Sequence, residues 1–164
     1  MSDPAMRCEV SFTLNGLAEV LSTDARRTLV DALREDFALT GSHVGCEHGV
    51  CGACTVRVDG SIVRGCLMLA VQADGCRVET IEGLSDSGEI ADLQAAFRTR
   101  NALQCGFCTP AMLLTAAELL ASPHRPDRAE IRAHISGNYC RCTGYHAIVD
   151  AIEATLAARA GAAA

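Results

Sequence analysis

The feature that most constrains this sequence is its cysteine content, which is ten in 164 residues. Eight of the ten form two sets of four; the first set is Cys46, Cys51, Cys54 and Cys66, and the second is Cys105, Cys108, Cys140 and Cys142. The first residues are polar and are not followed by the apolar stretch of a secretory signal peptide. Without a secretory route, metal binding explains so many cysteines better than disulfides do.

The first set has the spacing Cys-x4-Cys-x2-Cys, with the fourth cysteine after eleven further residues. This spacing is typical of plant-type [2Fe–2S] clusters. Gly45, Gly49 and Gly52 lie among these cysteines, where the lack of a side chain lets backbone N–H groups approach the sulfur atoms. A structural zinc site is the alternative, but zinc prefers paired Cys-x2-Cys elements. The first set therefore favours a [2Fe–2S] cluster.

The second set combines Cys-x2-Cys at Cys105 and Cys108 with Cys-x-Cys at Cys140 and Cys142. Each pair precedes a predicted helix, and the partial positive charge of a helix N-terminus favours thiolates. Spacing alone leaves a zinc site with four thiolates open. A redox-active dithiol at the first pair is a further alternative, although the βαβ context of such dithiols is missing. The iron–sulfur loop in the same chain favours a second [2Fe–2S] cluster.

The two halves of the chain have different patterns. The first half alternates apolar and polar residues and contains two hairpin signals, Asn15-Gly16 and Asp59-Gly60, on either side of a helix predicted over residues 28–37. In the second half, helices are predicted over residues 90–101, from an N-cap at Thr109 to residue 122, over residues 127–135 and over residues 146–159.

These patterns predict an α+β fold with two domains. The N-terminal domain, residues 1–82, is expected to be a plant-type ferredoxin-like β-grasp domain. A linker rich in glycine and serine is predicted at residues 83–89. The C-terminal domain, residues 90–164, is expected to be a four-helix [2Fe–2S]-binding domain.

Other function classes are disfavoured. A formal net charge of −6 argues against a nucleic-acid partner. The chain has no run of roughly 18 apolar residues, so no direct membrane insertion is expected, and a cytoplasmic location is the default unless a partner's signal exports the folded complex. No nucleophile–base pair or phosphate loop is recognisable, so no catalytic residue is predicted. Cys8 and Cys76 are interpreted as small core residues beside strands.

Three segments, residues 45–56, 104–110 and 137–145, resemble the small iron–sulfur subunit of the xanthine oxidase (molybdenum hydroxylase) family. That family includes bacterial carbon monoxide dehydrogenases, heterocycle dehydrogenases and aldehyde oxidoreductases. The resemblance extends from about residue 9 to residue 153, with local departures at Ala111 and Tyr139. The loop over residues 47–50 differs from that of the carbon monoxide oxidisers, which favours an N-heterocycle or an aldehyde as substrate.

The resemblance implies partners and a direction of electron flow. A molybdopterin-binding large subunit would hydroxylate the substrate, and an FAD-binding medium subunit would receive electrons, in an assembly such as a dimer of heterotrimers. Electrons would leave the molybdenum–pterin site through the cluster of the second set and then the cluster of the first. Gln104 and Cys142 match family positions close to the pterin. A free-standing two-cluster ferredoxin-like carrier and a zinc-stabilised interaction protein are the alternatives.

Overall fold

The computed structural model describes residues 7–162, which form a mixed five-stranded sheet and six α-helices. The strands are β1 (Arg7–Leu14), β2 (Leu17–Asp24), β3 (Thr55–Val58), β4 (Ser61–Arg64) and β5 (Arg77–Glu79). The predicted combination of a sheet and helices is thereby confirmed as an α+β fold. The outer ends of the two predicted domains, residues 1–6 and 163–164, lie outside the described residues.

The sheet has the strand order β2-β1-β5-β3-β4. Strands β1 and β2 form one antiparallel hairpin and β3 and β4 form another, as the two turn signals predict. Asn15 and Gly16 have φ angles of 50° and 87°, and Asp59 and Gly60 have φ angles of 48° and 86°. Two successive positive φ angles are what a two-residue hairpin turn of type I′ requires. Strand β5 joins the hairpins, since it pairs in parallel with β1 and antiparallel with β3.

Helix α1 (Leu29–Glu35) covers one face of the sheet. It begins at Thr28, whose hydroxyl accepts a hydrogen bond of 3.2 Å from the backbone N–H of Asp31. Its apolar side, which includes Leu29 and Leu33, lies in one buried cluster with apolar residues of the strands. Each such leucine contributes about 1.5–3 kcal/mol by leaving water.

The second half of the described chain is helical. Its helices are α2 (Ile81–Asp86), α3 (Ala91–Thr99), α4 (Thr109–Ala121), α5 (Arg128–Ile135) and α6 (His146–Ala162). They enclose a separate apolar cluster, in which Phe97, Met112, Ile131 and Ile152 are almost completely buried. Asp127 caps α5 as predicted, in a capping box with Glu130. Of these helices, none is long and apolar enough to cross a membrane.

The structure corrects three local expectations. The predicted linker is partly helical, because α2 extends to Asp86 and buries Leu84 in the helical cluster. Helix α4 has its N-cap at Cys108, which makes Thr109 the first helical residue. Cys8 is exposed and is not a core residue. The assignment of residues 1–82 and 90–164 to two domains stays a prediction.

Ion pairs support both halves of the protein, and one of them joins the sheet to the helical half. Arg57 on β3 contacts Glu79 on β5 at 2.8 Å and Glu89, just before α3, at 2.7 Å. Arg159 on α6 contacts Asp92 on α3 at 2.7 Å. Only 11% of the Arg57 side chain is exposed, so its charge needs both carboxylates. The contact with Glu89 thus joins β3 to the segment just before α3, and the contact of Arg159 with Asp92 joins two helices within the helical half.

Candidate metal centres

The first cysteine set lies on the loop between α1 and β3 and on the turn after β4. Two of its sulfur atoms accept hydrogen bonds from the backbone of other members. The N–H of Cys51 lies 3.4 Å from the sulfur of Cys46, and the N–H of Cys66 lies 3.5 Å from the sulfur of Cys54. The structure thus pairs Cys46 with Cys51 and Cys54 with Cys66, and it directs a backbone N–H group at one sulfur atom of each pair.

The three predicted glycines allow close approach for different reasons. A Cβ atom on Gly45 would lie 3.2 Å from the sulfur of Cys51, so this glycine does lie against a sulfur atom. A Cβ atom on Gly49 would lie 2.4 Å from the side chain of Leu67. At Gly52, it would lie 2.4 Å from the carbonyl oxygen of Gly137. The latter two glycines, which also have positive φ angles, therefore let the loop pack closely against neighbouring segments.

The thiols of this set differ in their acidity. Hydrogen bonds from the backbone of Cys51 and then of His48 lower the pKa of Cys46 to about 6. Burial raises the pKa of Cys54 to about 11, against the effect of the Cys66 N–H. These hydrogen bonds favour the thiolate form of Cys46, whereas Cys54 would have to lose its proton against the effect of burial when it binds a metal.

The second set lies where the start of α4 meets the turn before α6. The sulfur atoms of Cys105 and Cys142 are 3.6 Å apart, and both residues are exposed. Cys108 is buried at the N-cap of α4, and its thiol faces that of Cys140. The predicted position at a helix start is confirmed for Cys108. Cys140 and Cys142 lie in the turn that precedes α6.

Burial and then the contact with Cys140 raise the pKa of Cys108 to about 12. Burial also acts to raise the pKa of Cys140, but hydrogen bonds from Thr143 outweigh it, so that the pKa is lowered. The hydroxyl of Thr143 donates to the sulfur of Cys140 at 3.0 Å, and its backbone N–H does so at 3.4 Å. These donors stabilise negative charge on the sulfur.

The donor arrangement fits clusters of two irons. A [2Fe–2S] cluster uses two cysteines at each iron, so pairs of thiols are the expected unit. Each set contains such pairs, with sulfur-directed N–H groups that suit a negatively charged cluster.

Several residues that order these loops were not predicted from the sequence. The hydroxyl of Tyr145 accepts from the N–H of Cys140 at 2.8 Å and donates to the carbonyl oxygen of Asn138 at 3.1 Å. The ring of His43 stacks on that of Phe107 with centroids 4.6 Å apart, which joins the two loops. Their proximity to cysteines in the sequence was the available signal. Gln104 is exposed beside Cys105.

The fold and the two cysteine sets define the class of a [2Fe–2S]-binding α+β protein. Residues 80–153 match the family described as "[2Fe-2S] binding domain". The chain is 51% identical to the nicotine 6-hydroxylase small subunit of Paenarthrobacter nicotinovorans over 149 residues, which cover 91% of this chain and 90% of that protein. It is also 51% identical to caffeine dehydrogenase subunit gamma of Pseudomonas sp. (strain CBB1), with 88% of both chains covered.

A solved structure agrees with these similarities. The crystal structure of quinoline 2-oxidoreductase from Pseudomonas putida 86 contains a chain with 50% identity and a TM-score of 0.89. The match covers 96% of this chain and 98% of that one. The chain therefore belongs to the small iron–sulfur subunits of the molybdenum hydroxylase, or xanthine oxidase, family and is a subunit of an oxidoreductase complex.

Proposed function

We propose that this chain carries two [2Fe–2S] clusters and relays electrons from a molybdenum–pterin site on a large subunit towards FAD on a medium subunit, or towards another acceptor. The observation that carries the proposal is the presence of eight thiols in two sets of four, each with sulfur-directed hydrogen bonds. The two halves are accordingly a plant-type ferredoxin-like β-grasp domain and a helical [2Fe–2S] domain, divided near residues 82–90.

The contacts suggest how the ligands divide between the irons. In the first set, the pairs are Cys46 with Cys51 and Cys54 with Cys66, because each pair shares an N–H to sulfur contact. In the second set, the pairs are Cys105 with Cys142 and Cys108 with Cys140. A bound cluster supplies one-electron oxidation and reduction. The chain's own part is to supply thiolates and hydrogen-bond donors and to keep the cysteine loops at fixed positions.

The exposure of the second set supports its place next to the large subunit. Cys105 and Cys142 are exposed, and so is the adjacent Gln104. Cys54 of the first set is buried, and the other three cysteines of that set are partly buried. An exposed edge of a cluster site can be covered by a partner that brings its own cofactor close. We therefore assign Gln104 and Cys142 to the face that receives electrons.

The substrate is proposed to be an N-heterocycle. The relatives described above are named for nicotine, caffeine and quinoline, each of which contains a ring nitrogen. An aldehyde is the second choice.

By the family resemblance, the assembly is a cytoplasmic dimer of heterotrimers, and the native mass of the purified complex tests this stoichiometry. Copurification with larger chains also separates a subunit from a free-standing carrier.

The test is low-temperature EPR and iron analysis of the complex before and after dithionite reduction. We expect two distinct reduced [2Fe–2S] signals and about four irons per chain. Cys54→Ser should remove one signal and Cys142→Ser the other, while the matched control Cys8→Ser should leave both. Stoichiometric zinc without an EPR signal would refute the proposal. Loss of the same signal in both Cys54→Ser and Cys142→Ser would refute the assignment of these cysteines to two different clusters.

A further inference from the structure

The two cysteine sets meet along one short backbone contact. The N–H of Tyr139 donates to the carbonyl oxygen of Cys51 over 2.8 Å. Cys51 belongs to the first set, and Tyr139 is bonded directly to Cys140 of the second. Members of the two sets are therefore joined by one hydrogen bond and one peptide unit.

The neighbouring residue, Asn138, supports this contact from inside the protein. Only 1% of Asn138 is exposed. Its side-chain N–H2 group donates to the carbonyl oxygen of Gly52 at 3.1 Å and to the hydroxyl of Thr55 at 3.3 Å. Its side-chain oxygen accepts from the hydroxyl of Thr115 at 3.0 Å. Because a carbonyl oxygen can only accept, the Gly52 contact fixes which way the amide points.

The backbone of Asn138 holds the second set as well. Its carbonyl oxygen accepts from the hydroxyl of Tyr145, which in turn accepts from the N–H of Cys140. One buried residue thus contacts the loop of the first set through its side chain and the turn of the second set through its backbone. Gly52 also approaches the carbonyl oxygen of Gly137 so closely that a Cβ atom there would lie 2.4 Å from it.

We propose that Asn138 is a positioning residue that fixes the separation of the two cysteine sets and hence the interaction between the groups they bind. The inference rests on the proposed function, because it requires a [2Fe–2S] cluster in each set. A purely structural asparagine would affect stability alone, whereas a positioning residue also sets how strongly two reduced clusters influence each other's magnetic signals. A buried hydrogen-bonding group that loses its partner costs free energy, so the contacts of Asn138 are expected to be held continuously.

The test compares Asn138→Ala, Thr115→Val and the control Tyr139→Phe in the assembled complex. Asn138→Ala removes all three side-chain contacts, and Thr115→Val leaves the buried side-chain oxygen of Asn138 without its donor. Tyr139→Phe lies in the same segment but keeps the backbone N–H. Two quantities are measured, namely the magnetic interaction between the reduced clusters by EPR and the hydrogen exchange rate of the Tyr139 amide.

In Asn138→Ala, we expect wild-type iron content and both EPR signals, but without the wild-type magnetic interaction between the clusters. The Tyr139 amide should exchange about tenfold faster, because the variant has lost buried hydrogen bonds that support this contact. Tyr139→Phe should match the wild type. An Asn138→Ala complex with wild-type interaction and exchange overturns the inference. If that variant does not assemble, Thr115→Val decides, and wild-type values there overturn it equally. A wild-type complex without two reduced signals refutes the proposed function itself, and the inference falls with it.

Discussion

Replacement of Gly52 by alanine is expected to destabilise the protein well beyond the ordinary cost of a backbone change. The residue has a φ angle of +74°, and a Cβ atom there would lie 2.4 Å from the carbonyl oxygen of Gly137. The left-handed conformation costs an L-residue about 1–2 kcal/mol. Forcing the two backbone segments apart adds about 1–3 kcal/mol, as for other overpacked sites. The sum is about 2–5 kcal/mol.

Gly60→Ala is the matched control. Gly60 has a φ angle of +86°, and no heavy atom lies within 4 Å of its Cβ position. This variant therefore has the conformational cost without the clash. For a chain of this size, the additional 1–3 kcal/mol at Gly52 corresponds to a midpoint about 2–12 °C lower than that of the control.

The assay is thermal unfolding of both variants, followed by helical circular dichroism and by visible absorbance of the bound clusters. Gly52→Ala should lose both signals at a lower temperature than Gly60→Ala. Equal midpoints would show that the contact between residues 52 and 137 is not close in solution. In that case, the contact of the two cysteine loops would not depend on a glycine at position 52.

Two further predictions concern hydrogen bonds and charge. Thr143→Val removes the hydroxyl that donates to the sulfur of Cys140, so the reduction potential of the cluster bound there should fall. EPR-monitored redox titrations should show this fall while the potential of the other cluster stays constant. Thr143→Ser keeps the hydroxyl and should retain the wild-type potential. Glu89→Gln should destabilise the protein by about 1 kcal/mol at pH 7, since the carboxylate is partly exposed. The hydrogen bond from Arg57 lowers the pKa of Glu89 below its ordinary 4.5, so this stabilisation is present above that pH and is lost as the pH falls through the lowered folded-state pKa. The unfolding midpoint of the wild type should therefore fall more steeply below pH 4.5 than that of Glu89→Gln, and parallel curves would contradict the assignment.

Local chemistry made much of this fold predictable. The hairpins at Asn15-Gly16 and Asp59-Gly60 followed from turn residues that tolerate positive φ angles, and both were confirmed. The segment after Glu82 was interpreted as a linker because of its glycine and serine content. Its helix forms because Ile81 and Leu84 are buried in the helical cluster, and this tertiary contact outweighs the weak local propensity.

The candidate site was predictable as far as the cysteines, whose spacing reflects the geometry of a cluster loop. The supporting residues were harder to find. Asn138, Thr115 and Thr55 are far apart in the sequence and meet only when the sheet half and the helical half pack together. Tyr139 contributes its backbone N–H, a group that every residue except proline has, so its side-chain type gave no signal.

The position of β5 has a consequence for synthesis of the chain. This strand lies in the middle of the sheet, yet it is the last of the five strands in sequence. A nascent chain can form both hairpins early, but they have no shared partner until residues 77–79 have left the ribosome. Because pairings between distant segments form slowly, sheet closure is expected to be the late step in folding of this half. The cysteines of the first set are all translated before that closure, while their loop is still joined to an open sheet.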